Sequence, residues 1–204
     1  MNFAPSLRIR ASIIATLAIV VALSSSMAAG ISSAAPGQLP PISKLDVPRY
    51  LGVWNQVAAV PQPFNLDCLS STQAKYSKID DRNIRVENSC IRNNGSRNRI
   101  VGNARVNDLK TLAQLHVSFP GVPFQSSKSG PTNYVVTYIA PDYSWALVGD
   151  PNRLSGFVLK RTSDVSKKQW DSIKKVISAR GYNTCFFLVT PVRGKGAPTP
   201  LCTS

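Results

Sequence analysis

Between residues 50 and 165 the chain repeats one pattern: short runs rich in Val, Ile, Thr and aromatic residues, separated by turn chemistry, with no helical periodicity among them. Eight strands are predicted, over 52–60, 70–79, 83–92, 98–107, 111–119, 132–140, 143–149 and 155–162. The separators have physical reasons to turn. Asn94-Gly95 accommodates left-handed backbone, Pro141-Asp142 opens a tight turn, and Gly149-Asp150-Pro151-Asn152 makes another. Parallel neighbours would need a crossover helix between strands, so this order implies antiparallel pairing. Eight antiparallel strands close into a barrel just wide enough for one small ligand, and closure removes the exposed edges. The fold predicted is all-β: an eight-stranded antiparallel up-and-down barrel.

One helix follows the strands. After Ser163-Asp164, residues Val165, Trp170, Ile173, Val176 and Ile177 fall on one side and Lys167, Lys168, Lys174 and Lys175 mostly on the other, which predicts a helix over about 165–180 ended by Gly181. Coming after a run of strands, its apolar stripe is expected to pack on the outside of the sheet rather than on a membrane. A further strand is expected near residues 185–190.

The N-terminal stretch, 1–35, has the pattern of an export signal. Arg8 and Arg10 precede an uncharged run over residues 11–23, rich in Ala, Ile, Leu and Val, followed by small residues. That run falls short of the roughly 20 residues a membrane span needs. Cleavage is expected after Ala28, Gly30 or Ala34. With the first cysteine as late as Cys68, release outside the cytoplasm is expected rather than lipid anchoring. A Pro-rich lead over 36–44, the barrel over 45–190 and a tail over 191–204 complete the chain.

In an exported chain, Cys68, Cys90, Cys185 and Cys202 imply two disulfides, for which three pairings exist. Sequence order favours two local bridges, because Cys68 and Cys90 flank the hairpin turning at Asp80-Asp81. A Cys185–Cys202 bridge would then tie the tail to the barrel. No cysteine has a second one at zinc-site spacing and His116 is the only histidine, so no metal is expected.

Without Arg8 and Arg10 the chain keeps 22 basic and 10 acidic residues, a formal charge of +12. Solvated lysines and arginines on the outside of a soluble domain account for this; the alternative is an anionic membrane or cell-wall surface as partner. The basic residues are scattered over separate elements, which argues against nucleic acid. Catalysis is poorly supplied too. Glu87 is the sole glutamate, Asp80, Asp81, Asp142 and Asp150 sit at turns, and a nucleophile would depend on His116 alone as base.

Strand alternation sorts the inward candidates: Trp54, Gln56 and Ala58; Leu115, Val117 and Phe119; Tyr134, Val136 and Tyr138; Phe157, Leu159 and Arg161. Composition does not separate a filled barrel from a hollow one.

The segment Arg49-Tyr50-Leu51-Gly52-Val53-Trp54, with Asp46 before it, resembles the lipocalin signature Gly-x-Trp at the start of the first strand. Tyr134-Val135-Val136-Thr137-Tyr138 followed by Asp142-Tyr143-Ser144-Trp145 resembles the second signature region of bacterial lipocalins, and Val158-Leu159-Lys160-Arg161-Thr162 the third. The chain differs from those relatives in lacking a lipobox cysteine, in its four cysteines, and in Asn55-Gln56 after the tryptophan. The resemblance implies the lipocalin fold in a secreted, disulfide-containing form, with Gly52, Trp54, Tyr143 and Arg161 as structural signature residues and Arg161 lying over the Trp54 indole at the closed end. It also implies a carrier without a cofactor, binding a small hydrophobic ligand such as a fatty acid or lysolipid. Ala58, Tyr76, Leu115, Val117, Phe119, Tyr134, Val136 and Tyr138 are the expected ligand-binding residues. A ligand head group is expected near the open rim, with Tyr76, His116, Tyr134, Tyr138 and Arg105 as candidates to meet it.

Overall fold

The structure, a computed structural model, describes Met1 and residues 37–63, 67–192 and 196–204; the leader predicted over 1–35 lies, Met1 apart, outside them. A single helical turn, α1 (Val47–Tyr50), is capped by the Asp46 carboxylate, which accepts from the Arg49 amide at 3.1 Å. Eight strands follow: β1 (Gly52–Ala59), β2 (Cys68–Lys78), β3 (Asn83–Arg92), β4 (Arg97–Val106), β5 (Gln114–Ser118), β6 (Tyr134–Ile139), β7 (Trp145–Gly149) and β8 (Gly156–Lys160). Each pairs antiparallel with the next, and β8 and β2 both pair with β1, so the sheet closes into a barrel.

All eight predicted strands are present, shortened where Asx turns take over their ends. The Asp108 carboxylate accepts from the Lys110 and Thr111 amides and delays β5 to Gln114, while Asp142 accepts from the Ser144 amide and delays β7 to Trp145.

Helix α2 (Lys167–Ala179) starts at a capping box, the Ser166 hydroxyl accepting from the Gln169 amide and the Gln169 side chain accepting from the Ser166 amide. Its buried residues Ile173 and Ile177 pack on the outer face of the barrel against Val57, Ala58, Val135, Leu147 and Val158, joined by Leu39, Tyr182, Phe187 and Leu201. The strand expected near 185–190 is reduced to β9 (Leu188–Val189) beside β1, because Asn183 caps a 3-10 turn over Thr184–Phe186 and holds that part of the chain out of the sheet. The Pro-rich lead is not detached. Leu39 and Leu45 are buried, and the Ile42 amide donates to the Val136 carbonyl at 2.9 Å.

Two disulfides are formed. Cys68 joins Cys90 across β2 and β3, and Cys185 joins Cys202, with Cα–Cα distances of 5.6 and 4.8 Å. On the chain-entropy account each restrains the unfolded chain by roughly 3 kcal/mol.

Candidate ligand site inside the barrel

One end of the barrel is closed where β1 begins and β8 ends. The Trp54 side chain is fully buried there, its indole N–H donating to the Tyr50 carbonyl at 2.8 Å. The Arg161 guanidinium lies 3.6 Å from the indole centroid and donates to the carbonyls of Arg49, Leu51 and Val53. Its cation is therefore stacked on one side and hydrogen-bonded on the other, and the partial desolvation this entails lowers its pKa. Gly52 makes the arrangement sterically feasible: its φ is +95°, and a Cβ there would lie 3.3 Å from the guanidinium. Tyr143, with φ +61°, accepts from the Asp46 amide at 2.9 Å, and Arg49 stacks on its ring. The four signature residues thus meet at one end of the barrel, where they shut it rather than line it.

Inside this end stands a cluster of three phenols. The Tyr134 hydroxyl lies 2.6 Å from that of Tyr50 and 3.0 Å from that of Tyr76. The Tyr50 ring stacks on Tyr76 and tilts against Trp54. Burial raises the pKa of all three, that of Tyr76 to about 12, so they stay protonated donors at neutral pH. Strand alternation does not reveal Tyr50, which stands in α1 before the barrel begins.

The walls follow from the register. Leu115 faces Val106, Val117 faces Ala104, and Val136 faces Val148, all on the inward side together with Tyr76, Tyr134 and Phe119. Six of the eight expected ligand residues therefore share the interior. The remaining two do not. Alternation from Trp54 predicts Ala58 inside, but β1 bulges between Gln56 and Ala58, so Ala58 pairs with Val158 and turns outward under α2 while Ala59 pairs with Phe157. Likewise β6 bulges between Val136 and Tyr138. Tyr138 pairs with Leu147 on the outside and packs on Trp145 at 4.4 Å between ring centroids. One extra residue exchanges the two faces for the rest of the strand.

The head-group expectation for the rim also changes. Tyr76 and Tyr134 lie beside the floor, and Tyr138 lies outside. Arg105 and His116 pair with each other between the inward pairs Val106/Leu115 and Ala104/Val117, which puts both on the outer face. The His116 ring nitrogens lie 2.7 Å from the Pro131 carbonyl and 3.0 Å from that of Ser127, so this residue fastens the β5–β6 loop. Among the described residues no group of three or more His, Cys, Asp or Glu side chains is placed to hold a metal.

A closed antiparallel barrel, plugged at one end by a tryptophan under an arginine and backed by one outer helix, defines the class of lipocalin-fold proteins. Solved structures share it: insecticyanin from the tobacco hornworm Manduca sexta at a TM-score of 0.59 and 16% identity, covering 81% of this chain and 92% of that one. Lobster apocrustacyanin A1 matches at 0.54 and 18%, covering 79% and 93%. The chain belongs to the lipocalin family: the profile of the lipocalin-like domain matches residues 45–192. It is 32% identical to temperature-induced lipocalin-1 of Arabidopsis thaliana over 74% of this chain and 81% of that protein. It is also 31% identical to the outer membrane lipoprotein Blc of Vibrio cholerae over 73% and 84%.

Proposed function

We propose that the barrel is a calyx binding one small, predominantly apolar molecule for transport or sequestration, without chemistry on it, in a protein exported from the cytoplasm. The observation that supports this is a gradient of burial along the inward face. Beside the floor, Trp54, Ile84, Val106 and Leu115 are 0–4% exposed, whereas Ile100, Val117, Phe119 and Phe157 further up the walls are only half-buried. A solid core would bury both sets. Apolar side chains on the inward face that keep accessible surface are what a hollow open at one end leaves uncovered. The two disulfides fit an oxidising compartment.

Affinity would come from burial of carbon. At about 0.8 kcal/mol per methylene, a chain of ten or more offsets the ordering cost and reaches micromolar dissociation constants. The test is a titration of the oxidised protein with long-chain fatty acids, lysolipids and a fluorescent apolar probe at low and high salt, following tryptophan emission. Saturable binding that survives salt and is lost in Val117→Trp, which fills the cavity, is the expected result. Binding abolished by salt would assign it to the basic outer surface instead, and absence of binding would remove the calyx reading.

A further inference from the structure

The three phenols beside the floor carry more donors than they use on one another. Tyr50, Tyr76 and Tyr134 bring three O–H hydrogens, and two hydrogen bonds join them. Whichever way those two bonds run, one hydrogen lies outside them, and among the described residues no third hydrogen bond of comparable geometry reaches these hydroxyls. Either partner can donate in each bond; in the arrangement that makes Tyr134 the hub, its oxygen uses its two lone pairs to accept from both Tyr50 and Tyr76, and its own hydrogen is left to point elsewhere. Tyr134 is also the member with residual access, half-buried where Tyr50 and Tyr76 are 2% and 7% exposed. Its partner across the sheet is the inward-facing Leu115, so the strand aims it into the barrel.

The charges around this cluster select the kind of acceptor. Lys160, the one charged residue buried among the described residues, pairs with Asn55 and Trp145 on the outer face and donates to the Thr162 hydroxyl. The Arg161 field reaches Tyr50, but its guanidinium lies over Trp54 and donates to three backbone carbonyls. A carboxylate or phosphate brought to the phenols would lose its hydration without gaining an ion pair. A neutral oxygen suffers no such loss.

Resting on the calyx reading above, we infer that the floor recognises a neutral oxygen acceptor, a carbonyl or hydroxyl oxygen, at the leading end of an otherwise apolar ligand, through the free hydrogen of the Tyr134 hydroxyl. The ligand enters oxygen first. A simple fatty acid or lysolipid, with its charged group held in water at the mouth, presents only a methyl group to the phenols and leaves the hydrogen unpaired. Donation by Tyr50 and Tyr76 into Tyr134 polarises the hub hydroxyl and strengthens it as a donor.

The test compares dodecan-2-one, dodecane and dodecanoate as displacers of a fluorescent apolar probe from the wild-type protein, Tyr134→Phe and Tyr76→Phe. One neutral hydrogen bond corresponds to roughly a 3- to 10-fold change in affinity. Tyr134→Phe is expected to weaken the ketone by that factor relative to dodecane, which also serves as the check that the variant is folded. Tyr76→Phe keeps the hub hydrogen but removes one of the two donations that polarise it, so it should weaken the ketone relative to dodecane by less than Tyr134→Phe does. Independently of any variant, the carbonyl stretch of wild-type-bound dodecan-2-one should fall at the lower frequency of a hydrogen-bonded ketone. An unshifted stretch, a ratio unchanged in Tyr134→Phe, or equal loss in both variants overturns the inference while leaving the calyx standing. Failure of the wild type to bind the probe removes both.

Discussion

At the scale of single residues, the closed end depends on groups that each do two things at once. Arg161 covers the Trp54 indole and ties together the Arg49, Leu51 and Val53 carbonyls, so one side chain both seals the plug and fixes the turn leading into β1. A cation–π contact of this kind contributes about 2 kcal/mol, and loss of charged donors to otherwise shielded carbonyls adds to it. Arg161→Ala should therefore lower the free energy of unfolding in urea by roughly 2–3 kcal/mol. Arg161→Lys should recover only part, because an ammonium lacks the planar fork that reaches three carbonyls. A loss below about 0.5 kcal/mol, the usual effect of a surface substitution, would show that the plug is decorative. Both residues stand out in the sequence because Gly-x-Trp and a late arginine are local patterns. Tyr50 does not, because its place against Tyr76 and Tyr134 depends on how the chain before β1 crosses the barrel end.

Among the elements, β1 and β6 show where sequence periodicity stops being informative. Alternation is a parity argument, and a single bulge reverses parity for every residue beyond it. Trp54 and Tyr134 precede the bulges and lie inside as alternation predicts, whereas Ala58 and Tyr138 follow them and lie outside. The side chains after the bulges become the platform for α2, so the same irregularity that breaks the pattern builds the outer layer. Tyr138→Ala separates the two faces experimentally. It removes a ring stacked on Trp145 and is expected to lower stability by about 3 kcal/mol, as aromatic truncations in packed layers do. Apolar probe affinity of the folded protein should not change. A large loss of affinity at preserved stability would place Tyr138 back in the ligand site.

For the whole molecule, the interior and the outer layer should titrate as one. Tyr50, Tyr76 and Tyr134 belong to the barrel core and Tyr182 to the layer under α2, and burial raises the pKa of all four above the ordinary value of 10.0. A phenol whose pKa is higher folded than unfolded binds more protons in the native state between those two values. The stability these groups contribute is thus fully present below about pH 10 and is lost as pH climbs through the folded pKa, about 12 for Tyr76. Phenolate absorbance of the buried tyrosines should appear in the same transition as the loss of β-sheet circular dichroism, above pH 10. Ionisation of those four at pH 10 with the sheet intact would contradict their burial. The disulfides act on the same cooperative unit from its edges, one clamping β2 to β3 and the other holding the tail against the 3-10 turn after α2. By itself the sequence determined the strand number, the antiparallel order, the helix that follows them and the tryptophan and arginine of the plug, because turn chemistry, periodicity and short motifs are local properties. Only the tertiary structure decided which side each strand shows after its bulge, that His116 fastens a loop outside the barrel, and that three tyrosines distant in sequence share two hydrogen bonds beside the floor. Those outcomes depend on register and closure, which arise from pairing between strands and are encoded in no single one of them.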